Sequence, residues 1–204
     1  AALALALAGL LPGCAGEIRG VPPPAAAWPV PPPPPLPALP PPPPVPLTRP
    51  EALADDPEAQ RVHLLNELAE VGLVPPDDAQ ARRAANLGAL LPFSAPPPAA
   101  GLDTPLDAPA FAERLARVTR VPDPAAPAVA AERGLLLDYL LPREPRQRAR
   151  PPRQDSAALG LGRKRVGMLF TLGLVTPDEQ AREVAAIDRA EQALAQTPPP
   201  AAPA

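Results

Sequence analysis

The sequence predicts a mainly α chain, in which short helical hairpins are separated by extended, proline-rich linkers and no sheet is formed. Three observations predict it. Proline makes up 39 of the 204 residues, and its longest runs fall within the first 50. Beyond residue 50, apolar residues recur at helical spacing in three separate stretches. Each stretch is followed by a break containing proline and acidic residues, and then by a second apolar run, which marks an internal repeat.

The chain begins with an apolar run, Leu3-Ala4-Leu5-Ala6-Leu7-Ala8-Gly9-Leu10-Leu11, followed by Pro12-Gly13-Cys14. The run is too short to span a bilayer, which takes about 20 apolar residues. Its length and the small residues after it fit the core of a secretory signal over 1–13. No start methionine or basic segment precedes it, so the first few residues are expected to be missing. Leu11-Pro12-Gly13-Cys14 resembles the lipobox of bacterial lipoproteins, Leu-(Ala/Ser)-(Gly/Ala)-Cys, with Pro12 departing from the pattern. The resemblance implies diacylglycerol on the Cys14 sulfur, cleavage before Cys14, acylation of the new amino terminus, and so a palmitate-type lipid anchor. More than one acyl chain makes such an anchor stable. In the enterobacterial sorting pattern an aspartate after the cysteine retains the protein at the inner membrane; Ala15 stands there and points to the outer membrane, at its periplasmic face. The alternatives are an ordinary signal peptide, or an apolar segment with an incidental cysteine.

Composition agrees with export. Cys14 is the only cysteine, so the fold has no disulfide to rely on. The net charge of −3 gives no bulk attraction for polyanions. Lys164 is the only lysine, and arginine supplies the other positive charge, as a GC-rich coding sequence would dictate. A spurious frame in such DNA is the bland alternative; the ordered repeats argue against it.

Residues 14–50 form the expected stalk. Pro31–Pro35 and Pro40–Pro44 are unbroken. Proline fixes φ near −65° and donates no backbone N–H, which excludes helix interiors and sheet ladders. Polyproline II rises about 3.1 Å per residue, so some thirty residues hold a domain up to about 90 Å from a lipid surface. Trp28 is read as a solvated residue in this spacer, the alternative being an interfacial anchor or a partner contact.

Three hairpins follow, over 61–92, 110–142 and 164–196. Aligned on Val74, Val121 and Val175, the first helices carry one stripe: Leu65, Leu68 and Val71; Ala112, Leu115 and Val118; Val166, Leu169 and Leu172. The second helices carry Ala84, Leu87, Leu90 and Leu91; Val129, Leu135, Leu136, Tyr139 and Leu140; and Val184, Ile187 and Leu194. The third break is a strong helix start. Thr176 caps, Pro177 suits the first turn, and Glu179 completes a capping box. The middle repeat is the poorest copy, with Arg120 where Leu73 and Leu174 stand. Gly173-Leu174-Val175-Thr176-Pro177-Asp178-Glu179, and more loosely Leu73-Val74-Pro75-Pro76-Asp77-Asp78, resemble the turn of the short C-terminal (SHOCT-like) bacterial helical hairpin. That resemblance implies a small interaction or oligomerisation module. A hairpin of thirty residues is too small to be stable alone, so the hairpins are expected to pack on each other or on a partner.

The second linker, 143–163, and its junction with the third hairpin concentrate positive charge: Arg143, Arg146, Arg148, Arg150, Arg153, Arg163, Lys164 and Arg165 against Glu144 and Asp155. Its readings are contact with an anionic surface, or a solvated linker kept soluble by arginine. Residues 197–204 are an expected disordered tail. No catalytic constellation is present: His63 is the only histidine, no His/Cys spacing suits a metal, and Asp77-Asp78 and Asp178-Glu179 are explained as helix starts. The lone Gly160-Leu161-Gly162 lacks the context of a nucleotide loop.

The sequence therefore leads to a non-enzymatic, lipid-anchored protein of the bacterial cell envelope. Its expected partners are the membrane, through acylated Cys14, and either an envelope protein or a second copy. No cofactor, metal, nucleic acid or small-molecule substrate is expected. The alternative is an accessory, regulatory lipoprotein that escorts an envelope enzyme or transporter through the basic linker.

Overall fold

Every first helix starts at an aspartate and every second helix starts at a proline. The computed structural model describes residues 45–48 and 50–196. Asp56, Asp107 and Asp155 precede α1 (Pro57–Glu70), α3 (Ala108–Thr119) and α5 (Ser156–Thr171). Their carboxylates accept the backbone N–H of Ala59 at 3.1 Å, Ala110 at 3.1 Å and Ala158 at 2.8 Å. Such a cap satisfies a donor orphaned at the helix start and contributes about 1 kcal/mol. The second helices are α2 (Pro76–Ala85), α4 (Pro127–Leu140) and α6 (Pro177–Gln196). Proline suits their first turn because its missing N–H would have had no partner there.

The hairpin turns explain why the middle repeat differs. Gly72 and Gly173 adopt φ of +75° and +70°. The left-handed glycine lets Leu73 N–H reach the Leu68 carbonyl, and Leu174 N–H the Leu169 carbonyl, both at 2.9 Å. Gly72 and Gly173 close the inner bonds to Ala69 and Phe170, both at 3.0 Å, completing two Schellman motifs. Thr119 occupies the corresponding place in the middle repeat and no residue there has positive φ; its hydroxyl instead donates back to the Leu115 carbonyl at 2.8 Å.

The structure moves two boundaries. α1 begins at Pro57 rather than 61, and α5 at Ser156 rather than 164, because Asp56 and Asp155 set the starts. The basic stretch 143–163 is thus not all linker, and Arg163, Lys164 and Arg165 are helical. α2 is also shorter than the apolar run suggests. It ends at Ala85, and Leu87–Ala89 form a 3-10 turn. A side chain at Gly88 would strike the Pro96 carbonyl. α4 stops where Leu141, preceding Pro142, turns extended at φ −151°, ψ 106°.

The described residues lie within one compact unit, and a single core draws on all three hairpins. Leu65, Leu68 and Val74 from the first, Phe111, Leu115 and Leu140 from the second, and Val166, Leu169 and Leu174 from the third belong to it. Leu53, in the 3-10 turn Glu51–Leu53, and Leu102, in the first linker, complete it. Fusion answers the size problem: each buried leucine contributes roughly 1.5–3 kcal/mol, and a joint core buries more of them per ordered residue. Among the described residues no strand forms. The one isolated bridge, Ala99 to Arg148, ties the two linkers together. No described helix is long and apolar enough to cross a membrane. Leu11, Pro12, Gly13, Cys14, Trp28, the stalk as far as residue 44 and the tail 197–204 lie outside the described residues.

Candidate functional site: interaction surfaces of a clasped helical head

Four polar clasps set how the hairpins face one another. Arg61 on α1 is 2% exposed. Its Nε donates to the Leu102 carbonyl (3.1 Å), Nη1 to the carbonyls of Tyr139 (2.7 Å) and Leu140 (3.3 Å), and Nη2 to that of Thr104 (3.0 Å). Its charge sits at the C-terminal end of α4, where the helix dipole favours a cation, and 5.3 Å from the Tyr139 ring centroid. Arg82 on α2 joins Asp78 at 3.1 Å, Asp138 at 2.7 Å and the Leu141 carbonyl at 2.7 Å. Beside it, buried Asn86 donates to the carbonyls of Arg82 and Pro142 and accepts from Ala99 N–H.

The third hairpin is held by two bidentate pairs. Arg83 grips both Glu179 oxygens, at 2.8 and 2.7 Å, and the Leu174 carbonyl at 2.9 Å. Arg165 grips Asp56 at 2.6 and 3.0 Å and also donates to the carbonyls of Ala89 and Leu90. The capping box forms around the first pair: Glu179 N–H donates to the Thr176 hydroxyl at 3.2 Å, and Thr176 N–H to Glu179 Oε2 at 2.9 Å. The Arg83 guanidinium hydrogen-bonded to Glu179 lowers its pKa to about 2, against the opposing effect of burial. Burial raises the pKa of Glu58, although Arg165 pulls it the other way.

These clasps leave defined surfaces free. Leu135 is 72% exposed and Tyr139 57% exposed, four residues apart on α4. Both belonged to the expected apolar set of the second helix; the core side of α4 is taken instead by Leu136, Leu137 and Leu140. Between α3 and α4 runs a groove of about 390 Å³ lined by Val118, Val121 and Val129, with Arg114–Glu132 and Arg117–Glu113 pairs along it.

A second cleft, also about 390 Å³, lies between α1 and residues 172–174. Thr48 crosses its edge, with its backbone N–H 2.7 Å from Glu67 Oε1, its hydroxyl also on Glu67, and His63 Nε2 at 3.1 Å. Hydroxyl and carboxylate meet the same ring nitrogen, since Glu67 Oε1 is 3.6 Å from Nε2. A base relayed between nucleophile and carboxylate engages both ring nitrogens, which this arrangement does not, and its bonds tie Thr48 to α1. Among the described residues no group of His, Cys, Asp and Glu has metal-holding geometry.

The stripe residues fall mainly inside: Leu65, Leu68, Val74, Leu115, Val118, Val166, Leu169 and Val175 are buried. Val121 and Leu172 are half-buried. Val71 is 42% exposed, because it follows the last residue of α1. The basic residues divide. Arg165 is consumed by Asp56, and Arg163 bonds Asp188 at 2.5 Å and Glu191 at 2.9 Å. Arg148 donates to the carbonyls of Ala85 and Pro97, and Arg143 stands 3.8 Å from Asp78. Arg146, Arg150, Arg153 and Lys164 are exposed. A single arginine strip from 143 to 165 is therefore not what the fold presents, because α5 turns its two arginines onto carboxylates. Sequence reasoning missed Arg61, Arg82, Arg83 and Thr48. Only the helical spacing of His63 and Glu67 hinted at any of these sites.

No protein-family model, no curated protein and no solved structure matches the chain.

Proposed function

We propose that the chain is a non-enzymatic, lipid-anchored cell-envelope protein whose fused hairpins form an interaction head carried on a proline-rich stalk. The observation that carries this reading is the pair Leu135 and Tyr139, two large apolar side chains presented together on a clasped, single-core head. Exposed aromatic and aliphatic side chains on a rigid frame suit protein contact, because little ordering is lost on docking. The lipid anchor rests on the lipobox resemblance at Leu11 to Cys14. It places the head on the periplasmic side, with the outer membrane favoured by Ala15.

The test is a photo-crosslinking residue at position 135 or 139 in the full-length chain expressed in a bacterial host. The reading expects a discrete adduct in the envelope fraction, with a protein or a second copy, that is lost when the neighbouring apolar residue is changed to serine. An absence of adducts from both positions, with the head folded, contradicts it.

A further inference from the structure

We propose that the loop between α4 and α5 docks on the anionic phosphate headgroups of a membrane through its exposed Arg146, Arg150 and Arg153, with Arg143 beside them. The proposal deepens the lipid-anchored reading, but the loop's own chemistry does not depend on acylation.

Residues 142–154 carry five arginines and one carboxylate, Glu144, in a chain of net charge −3. The backbone that presents them is pinned. Ala100 N–H donates to the Gln147 carbonyl at 2.9 Å, Ala149 N–H to the Pro98 carbonyl at 2.8 Å, and Asn86 to the Pro142 carbonyl at 2.8 Å. Pro142, Pro145, Pro151 and Pro152 restrict it further. Arg148 serves this pinning, with its Nη1 on the Pro97 carbonyl at 2.5 Å. Arg146, Arg150 and Arg153 flank that point, exposed and without a protein acceptor. Arg143 is held only loosely, 3.8 Å from Asp78 and 63% exposed.

Arg143 and Arg146 border a cavity of about 460 Å³ whose other walls are Arg82, Asp138, Glu144 and Pro145. Asp138 is occupied by Arg82 Nη1 at 2.7 Å, whereas Arg82 Nη2 makes no protein hydrogen bond. Guanidinium groups on an ordered frame match phosphate oxygens in a forked geometry. The loop contains no large apolar side chain. It therefore has no aromatic or large aliphatic side chain to bury in a partner or in the acyl region, and it suits contact with headgroups rather than insertion.

The experiment uses the full chain with Cys14→Ser, so that no acyl group contributes, and vesicles of phosphatidylglycerol mixed with phosphatidylcholine, or of phosphatidylcholine alone. The partition coefficient is compared with that of a variant that also carries Arg146→Ser, Arg150→Ser and Arg153→Ser. Each arginine near an anionic surface is worth about fivefold in partition, so the triple change is expected to lower it by about 100-fold. The difference between the two chains should vanish on neutral vesicles, where the apolar run of residues 3–11 is the same in both, and should shrink steeply with salt. The three side chains make no internal bonds, so the thermal midpoint should stay constant and a loss of binding is not a loss of fold. Equal partition of the two chains on the phosphatidylglycerol vesicles, or an arginine-dependent binding to soluble polyphosphate but not to those vesicles, overturns the assignment. A failure of acylation at Cys14 leaves this comparison intact, so the two readings fail separately.

Discussion

Replacing Arg61 with methionine is expected to loosen the junction between the first and second hairpins. The guanidinium is 2% exposed and reaches four carbonyls, those of Leu102, Thr104, Tyr139 and Leu140. A hydrogen bond from a charged donor contributes about 1.5–3 kcal/mol, and an orphaned buried carbonyl costs about 1–3 kcal/mol. Removing the buried charge returns part of this, because its desolvation cost disappears and methionine retains the stem packing. The net loss is about 3 kcal/mol, a large share of the ~5–15 kcal/mol typical of a domain. In urea titrations followed by far-ultraviolet circular dichroism, with a slope near 2 kcal/mol/M, the midpoint should fall by about 1.5 M. Arg61→Lys should recover less than half of that, since a single ammonium cannot span four acceptors spread around a planar fork. A midpoint change below about 0.5 M for Arg61→Met, or full rescue by lysine, would refute the view that this clasp joins the hairpins.

The Arg83–Glu179 pair predicts a pH dependence. Glu179 has a folded pKa of about 2, below its ordinary value, so its contribution is fully present above the usual carboxylate range and is lost as pH falls through about 2. Glu179→Gln should cost about 2 kcal/mol at pH 7, allowing for partial solvent screening, and should flatten the stability profile between about pH 5 and 2; an unchanged acid limb would count against the clasp. Glu58 has the opposite sign. Its pKa is raised by burial, so Glu58→Gln should stabilise the fold at neutral pH, and wild-type denaturation should show the Glu58 penalty easing as pH drops. Gly173→Ala puts a β-carbon on a residue at φ +70° with open space around it, so calorimetry should register a purely conformational loss of about 1 kcal/mol. Leu135→Ser should leave the thermal midpoint nearly unchanged, because its side chain is mostly exposed, and Tyr139→Ser should lower stability only by its contact with Arg61, about 1 kcal/mol; both should abolish envelope crosslinks.

How much of this was legible depended on how local the cause was. The stripe through Leu65, Leu68, Leu115, Val166 and Leu169 follows from helical spacing alone, and Thr176 with Glu179 from three-residue capping chemistry. The aspartate caps were equally local, but periodicity does not register them, and so the starts of α1 and α5 shifted. Burial of Leu135 and Tyr139 was over-read. Residues 135, 136, 137, 139 and 140 are all apolar, more than one face of a helix can bury, and the pattern does not say which are left out. Arg61 and Arg165 were beyond reach. Their partners lie 78 and 109 residues away, and an arginine on a helix looks solvated until the chain opposite it is known. The basic stretch was read as one strip for the same reason. Arg163 and Arg165 differ from Arg150 and Arg153 only in what the fold places beside them.

The measurement that bears most directly on the central claim is intact-mass analysis of the membrane fraction from a bacterial host expressing the chain from an added start codon, alongside Cys14→Ser. The account predicts a mature mass beginning at Cys14 with added acyl chains, and its absence in the variant. An unmodified product that stays in the soluble fraction for both chains would contradict it.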